Sequence, residues 1–180
     1  QERSEKVASH ALTLYNTTKD VIQHNDCEGR ELWWAASMLH SCGQHINLSA
    51  YHKHSWYLIR HGELLGYSEA EHLMVAAIAR YHRRSLPKKR HESWQALRTR
   101  ENRKCVSEMS LLLRLAAAID CRPDPVVDSL RVEISQNQLL VELVPDRSNR
   151  DLSLEQWSLE SCAETVREAS GVGLSVSAQA

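Results

Sequence analysis

Apolar residues recur at helical spacing through the first two thirds of the chain and at alternate positions after that. Between residues 2 and 24 the apolar residues Val7, Leu12, Tyr15, Val21 and Ile22 keep roughly helical spacing, which predicts an amphipathic helix. The same period continues, with breaks, as far as Asp120. It predicts further helices over 30–41, 52–60, 69–83 and 101–120, and a short one near Glu92.

Helix boundaries are marked by capping and breaking residues. Gly43 follows the second helical stretch, where a C-terminal cap is expected. Ser68 and Glu71 have the spacing of a capping box, and so do Ser153 and Gln156. Each pair therefore predicts the start of a helix.

After Pro123 apolar and polar residues alternate, which predicts a β-hairpin with its turn at residues 136–137. A helix over 153–169, stopped by Gly171, and a strand over 172–176 complete a ββαβ tail. The predicted fold class is mainly α. We expect a bundle of five to seven helices in domain 1–123, followed by a small α+β subdomain over 124–180.

Composition indicates a globular protein, with 42% hydrophobic and 25% charged residues among 180. No run of about 18 apolar residues and no signal-peptide pattern is present, so we expect no membrane partner. Five cysteines without paired spacing favour reduced thiols and a cytoplasmic location. Because the sequence opens at Gln1 inside a helical pattern, we expect it to be part of a longer protein.

Charge is unevenly distributed along a chain whose net charge is −1. Residues 80–104 hold ten basic and two acidic side chains, a net charge of +8. Residues 124–169 carry a net charge of −6. This asymmetry suggests that the basic stretch binds a polyanion. The alternative is that these charges only solvate a helix and a loop.

Most of the ten histidines lie between His40 and His82. Metal-dependent phosphohydrolases of the HD type use a helical His, a His-Asp pair, further histidines and a distant Asp, since imidazole and carboxylate bind divalent metals. Here Ser41 stands where that pair needs Asp, and a hydroxyl is a poor ligand for a hard cation. His40 could equally be a hydrogen-bonded core residue. The candidate metal ligands, in vestigial form, are His10, His40, His54 and Asp120.

Three segments carry a closer resemblance. They are Met-Leu-His-Ser-Cys-Gly at 38–43, His-Lys-His-Ser-Trp-Tyr-Leu-Ile at 52–59 and Ala-Arg-Tyr-His-Arg-Arg at 79–84, and the helix around 111–116 also fits. The chain resembles the C-terminal, HD-like domain of the exopolyphosphatase and guanosine pentaphosphate phosphohydrolase family. The resemblance covers nearly the whole chain.

This resemblance implies that catalysis belongs to an N-terminal actin-like domain of the parent chain, which uses Mg²⁺. None of the six glycines here forms a phosphate loop, so that domain is absent from these residues. The implied role is accessory: binding polyphosphate or guanosine polyphosphate, and homodimerisation. We expect no cofactor in this chain and no phosphatase activity from it alone.

The residues assigned to polyphosphate binding are mostly basic, because Arg and Lys form charge-assisted hydrogen bonds with phosphate. Two alternatives remain open. One is an independent HD-type nucleotide phosphohydrolase using His10, His40, His82 and Asp120. The other is a nucleic-acid-binding module, although the stretch lacks an aromatic stacking platform. The assigned residues are Lys53, Arg80, His82, Arg83, Arg84, Lys88, Lys89 and Arg90.

Overall fold

Eight α-helices, one 3₁₀ turn and three strands are seen in the computed structural model, which describes residues 2–23, 30–148 and 150–179. The expected fold class, mainly α with a small α+β tail, is confirmed. The helices are α1 (Glu2–Thr17), α2 (Arg30–Leu39), α3 (Tyr51–His61), α4 (Glu69–Tyr81), α5 (Glu92–Gln95), α6 (Arg100–Ile119), α7 (Ser153–Glu160) and α8 (Ala163–Ser170). The 3₁₀ turn is Cys42–His45, and the strands are β1 (Val127–Ser135), β2 (Gln138–Pro145) and β3 (Gly173–Ala178).

The chain forms two compact units that differ from the predicted division at residue 123. The first unit joins Gln1–His24 to Arg114–Ala180, and the second unit is Asn25–Leu113. Helix α1 therefore belongs with the C-terminal tail, a grouping that local sequence patterns do not reveal. Independent folding of 1–123 and 124–180 stays a prediction.

In the second unit the core is built around α4, which packs against both α2 and α3. Its residues from Leu73 to Ala79 are all buried, a run that fits a helix covered on several sides. The predicted capping box is confirmed: Ser68 Oγ accepts from the Glu71 amide at 3.3 Å, and a Glu71 carboxylate oxygen accepts from the Ser68 amide at 2.7 Å.

The first unit has a three-stranded sheet in the order β1-β2-β3, with β1 and β2 antiparallel and β2 and β3 parallel. The hairpin turn lies at the predicted pair, Gln136 and Asn137, which both have positive φ angles (49° and 62°). Helix α1 packs against β1, and Lys6 forms an ion pair with Asp128 at 3.4 Å. The sheet and α1 thus share one core.

Two helix predictions need correction. The pattern over 2–24 predicts one long helix, but α1 ends at Thr17, where the Thr17 and Thr18 hydroxyls donate to carbonyl groups one turn back. Asp20 then takes a left-handed conformation (φ 65°). Such local side-chain bonds compete with helix continuation. Residues 25, 26 and 29, which break the pattern in the sequence, lie outside the described part of the chain.

The second predicted capping box does not form. Ser153 is already inside α7, and the residue before it, Leu152, has no side-chain cap. Instead Asp151 Oδ1 accepts from the Ser153 amide at 3.0 Å, an Asx-type turn that leads into the helix, so Ser153 is its first residue and not its cap. The predicted single helix over 153–169 is also two helices, α7 and α8, separated at residues 161–162.

Cys42, Cys105, Cys121 and Cys162 are free thiols, and Cys27 falls outside the described ranges. None of the helices in the described ranges is both long and apolar enough to cross a bilayer.

Candidate functional site

Two of the segments that carry the family resemblance are held together by one serine. Ser55 Oγ, on α3, donates to the carbonyl of His40 at 2.7 Å and accepts from the amide of Gly43 at 3.0 Å. The 3₁₀ turn approaches α3 so closely that a Cβ at Gly43 would lie 2.2 Å from the Tyr51 carbonyl oxygen. Only glycine fits there, so the 38–43 and 52–59 segments form one structural element.

His40 and His82 form the centre of a buried histidine pair, with ring centroids 5.1 Å apart in an edge-to-face arrangement. His40 Nδ1 is 2.6 Å from the Ser37 carbonyl oxygen, and His82 Nδ1 is 2.7 Å from the Ala79 carbonyl oxygen. Since a carbonyl only accepts, both rings carry a proton on Nδ1. Such bonding is typical of histidines that stabilise a core.

Tyr51 connects the start of α3 to the end of α4. Its hydroxyl lies 3.1 Å from His82 Nε2, which must accept because Nδ1 already carries the proton. The guanidinium group of Arg83 lies 4.9 Å from the centroid of the Tyr51 ring, within cation–π distance. Both ring nitrogens of His82 are thus engaged, and its predicted contact with phosphate is left without a free nitrogen.

The other predicted phosphate-binding residues differ in exposure. Arg80 is half-buried, whereas the other six are exposed. They come from α3, from the end of α4 and from the loop before α5. We call this set the basic surface: Lys53, Arg80, Arg83, Arg84, Lys88, Lys89 and Arg90.

His52 lies beneath this surface and is only 3% exposed. Burial, together with the positive charges of Arg80, Arg83, Lys53 and Arg84, lowers its pKa to about 4. No acidic group contributes to the shift among the groups that the structure describes around it. The ring is therefore neutral at pH 7 and surrounded by uncompensated positive charge.

His91, in the loop before α5, is in the same situation. Burial lowers its pKa, and Arg80, Arg90, Lys88 and Lys53 lower it as well. Arg80 and Lys53 therefore act on both histidines, which places the α3, α4 and loop cations in one electrostatic group. A concentration of positive charge of this kind is what a polyanion needs.

Arg80 differs from the other cations of this group in being half-buried. Its Nη1 is buried and has no hydrogen-bond partner within the described ranges, and burial lowers the pKa of its guanidinium group. An unsatisfied buried donor costs about 1–3 kcal/mol, and more when it is charged.

His52 and His91 were not among the residues assigned from the sequence. His52 adjoins Lys53 in the His-Lys-His-Ser segment, but helical periodicity alone does not tell which of the two neighbouring histidines is buried. His54, the other one, is only partly buried. The signal that could have singled out His52 was its position beside Tyr51, on the face that contacts α4.

The predicted metal ligands are not brought together within the units. His10 and Asp120 fall in the first unit, and His40 and His54 fall in the second. In residues 2–23, 30–148 and 150–179, no three His, Cys, Asp or Glu side chains are placed to hold a metal ion. The metal site, which would draw on residues of both units, stays a prediction from the sequence.

Two members of that set have other partners. The Asp120 carboxylate forms an ion pair with Arg3, whose Nη2 also donates to the Asp120 carbonyl oxygen at 2.7 Å. His10 is 3% exposed, and burial together with Lys6 lowers its pKa to about 4 although Asp128 opposes the shift. His10 thus lies in the core of the first unit, and Asp120 lies at the edge of that core.

A family model described as Ppx/GppA phosphatase, domain III, matches residues 1–163. The chain therefore belongs to the Ppx/GppA phosphatase family, as the resemblance implied. The matched region within that family is its third domain, and it includes the histidine pair and the basic surface.

Two curated relatives are guanosine-5'-triphosphate,3'-diphosphate pyrophosphatases. That of Pseudoalteromonas translucida (strain TAC 125) is 28% identical over 163 residues, which cover 89% of this chain and 32% of the relative. That of Pseudoalteromonas atlantica (strain T6c / ATCC BAA-1087) is 26% identical over 137 residues, covering 76% of this chain and 26% of the relative. The chain thus spans about a third or less of the length of these relatives.

Proposed function

We propose that this chain is an accessory domain that binds a linear phosphate chain, either polyphosphate or a guanosine polyphosphate, on the basic surface. The observation that carries the proposal is the convergence of cations on His52 and His91, with no acidic group among those that act on either ring. A structural cluster of cations is normally balanced by carboxylates, because like charges repel. Here the balancing charge is supplied by the ligand.

The exposed members of the surface suit a flexible polyanion. Lys53, Arg83 and Arg84 are exposed to solvent, so they reach phosphate oxygens without losing the packing of α3 and α4. Arg83 is partly ordered by its contact with the Tyr51 ring, which reduces the entropy lost on binding. Several such contacts along one chain give moderate affinity that depends strongly on salt.

The catalytic partner follows from the family. The chain spans only a fraction of relatives named as guanosine-5'-triphosphate,3'-diphosphate pyrophosphatases, so we propose that hydrolysis belongs to another part of the full-length protein. In this proposal the partner is an N-terminal actin-like domain that uses Mg²⁺. The present chain retains the phosphate-rich substrate while that domain cleaves it.

Calorimetry with linear polyphosphate tests the proposal. We expect binding at about 50 mM salt that weakens steeply by about 200 mM, because each phosphate contact releases a counterion. The Arg83→Ala/Arg84→Ala double variant should bind about tenfold more weakly, with a flatter dependence on salt. The control is Arg98→Ala/Arg100→Ala, which removes the same charge from exposed positions outside the surface. Equal affinity of the two double variants would refute the assignment.

A nucleic-acid ligand is less well supported. Single strands need aromatic rings on which bases stack. Near the basic surface Trp94 is half-buried, with the Arg103 guanidinium 5.9 Å from its ring centroid and the Tyr81 ring against it edge-on. An RNA oligomer of matched charge that displaces polyphosphate with equal or higher affinity would favour this alternative.

Self-association is also part of the proposal, on the strength of the family resemblance alone. Sedimentation equilibrium of the full-length protein and of this chain would show whether either forms a homodimer. A monomer at all concentrations up to about 100 μM, well above the Kd range of stable dimers, would exclude it.

A further inference from the structure

We infer that Arg80 and His52 form a seat for one terminal phosphoryl group, within the basic surface and distinct in chemistry from its exposed cations. The inference rests on the proposed function and adds to it a preference for the end of a phosphate chain. It also gives His52, which the proposed function does not use, a role in binding.

Two buried polar atoms mark the seat. Nη1 of Arg80 and Nδ1 of His52 are both buried, and neither has a hydrogen-bond partner within the described ranges. His52 is only 3% exposed, so its ring is shielded from bulk water. Buried polar groups are nearly always paired, and each exception calls for an explanation such as a ligand.

The charges around the seat are all of one sign. Lys53 comes from the same helix as His52, Arg80 comes from α4, and Arg83 and Arg84 follow α4. The neighbouring Tyr51 hydroxyl and His82 Nε2 are hydrogen-bonded to each other. The start of α3 adds the positive end of its macrodipole, and its N-cap, Ala50, offers no side-chain acceptor to the first amides.

The chemistry of phosphate chains suggests why the occupant is a chain end. A terminal phosphoryl group has three non-bridging oxygens and up to two negative charges, whereas an internal unit has two such oxygens and one charge. Charge-assisted bonds are strongest where donors converge on a dense charge. A half-buried guanidinium and a buried imidazole, each with an unpartnered polar atom, offer donors shielded from bulk water, while exposed Lys and Arg suffice for internal units.

Linear triphosphate and cyclic trimetaphosphate provide the test, because both contain three phosphorus atoms and only the linear form has ends. We expect the wild type to prefer linear triphosphate by about tenfold or more, measured by calorimetry at fixed salt. Cyclic hexametaphosphate, which carries more charge than linear triphosphate, separates end recognition from total charge. If it binds as tightly as linear triphosphate, the seat is refuted.

Variants locate the preference. Arg80→Gln should weaken binding of linear triphosphate by roughly 10- to 100-fold, the range of a lost charge-assisted bond, and should abolish the preference for it over the cyclic form. Arg80→Lys should keep binding but lose part of the preference. Arg98→Gln, an exposed charge-matched control, should change affinity by less than about threefold. Circular dichroism would confirm that each variant is folded, and the wild-type comparison of linear with cyclic ligands needs no variant.

The outcomes separate the two proposals. If linear polyphosphate binds and depends on Arg83 and Arg84, but Arg80→Gln behaves like Arg98→Gln, the seat is wrong and the proposed function stands. If the wild type binds no linear phosphate at about 50 mM salt, both are wrong.

Discussion

The Ser55 hydroxyl bonds to the amide of Gly43 across twelve residues of sequence, at 3.0 Å, and to the His40 carbonyl oxygen at 2.7 Å. The hydroxyl is buried, and it provides a hydrogen-bond partner for one backbone group at the end of α2 and for another in the turn that follows. Ser55 and Gly43 therefore hold the 38–43 and 52–59 segments together, and each segment packs against the other.

Substitutions at this pair should destabilise the chain. Ser55→Ala leaves a buried amide and a carbonyl without their partner, which should cost about 1–3 kcal/mol of unfolding free energy. Gly43→Ala should cost more, since the added Cβ would lie 2.2 Å and 2.4 Å from backbone atoms of Tyr51 and Ser55. Urea denaturation measures both effects. Ser175→Ala, an exposed serine on β3, is the control and should change stability by less than about 0.5 kcal/mol.

Stability should fall as pH drops from about 6.5 to 4. His10 and His52 both have a pKa of about 4 in the folded chain, against 6.5 for an unperturbed imidazole. Between these values the unfolded state binds protons that the folded state does not, so acid favours unfolding. Each histidine should cost about 1 kcal/mol at pH 5.5.

Comparing His52→Gln with the wild type measures this contribution. The variant should lose less stability than the wild type between pH 7.5 and 5.5, in urea denaturation at constant salt. The same loss in both proteins would show that the pKa of His52 is not lower in the folded state than in the unfolded state.

The ion pair of Arg3 with Asp120 should matter because the carboxylate is 5% exposed. Burial raises the pKa of Asp120 although Arg3 opposes the shift. Arg3→Ala should therefore cost about 1–3 kcal/mol at pH 7, where an ionised and buried carboxylate loses its partner. The cost should shrink towards pH 4 as the carboxyl group takes up a proton. Asp120→Asn, which removes the charge itself, should cost less at pH 7 than Arg3→Ala.

The hairpin turn can be improved. Gln136 and Asn137 both have positive φ, a conformation in which Asn and Gly are favoured over Gln. Gln136→Asn should stabilise the chain by about 0.5 kcal/mol and raise Tm by a few degrees. Asn137 is left unchanged because its side chain donates to the Gly171 carbonyl oxygen at 2.9 Å. A lower Tm for the variant would mean that side-chain contacts of Gln136 outweigh its backbone strain.

The isolated chain should not hydrolyse phosphoanhydrides. Ser41 stands where HD-type enzymes need a metal-bridging Asp, and the described residues place no metal-binding triad. Assays with linear polyphosphate and nucleotides, in the presence of Mg²⁺ or Mn²⁺, should release phosphate at the background rate. Sustained release that His40→Ala abolishes would instead support the stand-alone phosphohydrolase.

Periodicity predicted the elements well because their signals are local. The hairpin appeared where the period changed, and the capping box at Ser68 marked the first turn of α4. Long-range relationships had no such signal. The assignment of α1 to the C-terminal unit depends on contacts such as Arg3 with Asp120, and no local pattern records them.

Only part of the candidate site could be predicted, because charge is a local signal and burial depends on long-range contacts. Charge alone pointed to Lys53 and the cations from Arg80 to Arg90. Charge does not tell which side chains are buried. Burial depends on which face of α3 packs against α4, and the sequence alone does not show that. Thus His82, chosen from the sequence, is bonded at both nitrogens, whereas His52 was overlooked.

The discontinuity of the first unit sets an order for folding during synthesis. Arg3 and Asp120 are separated by 117 residues, so at 5–20 residues per second α1 leaves the ribosome about 6 to 23 s before its partner leaves it. The buried face of α1, with Val7, Ala11 and Leu14, stays uncovered for that interval. The second unit, continuous in sequence, can close first. A nascent chain stalled before residue 120 should therefore bind chaperones through α1, and release them once the hairpin emerges.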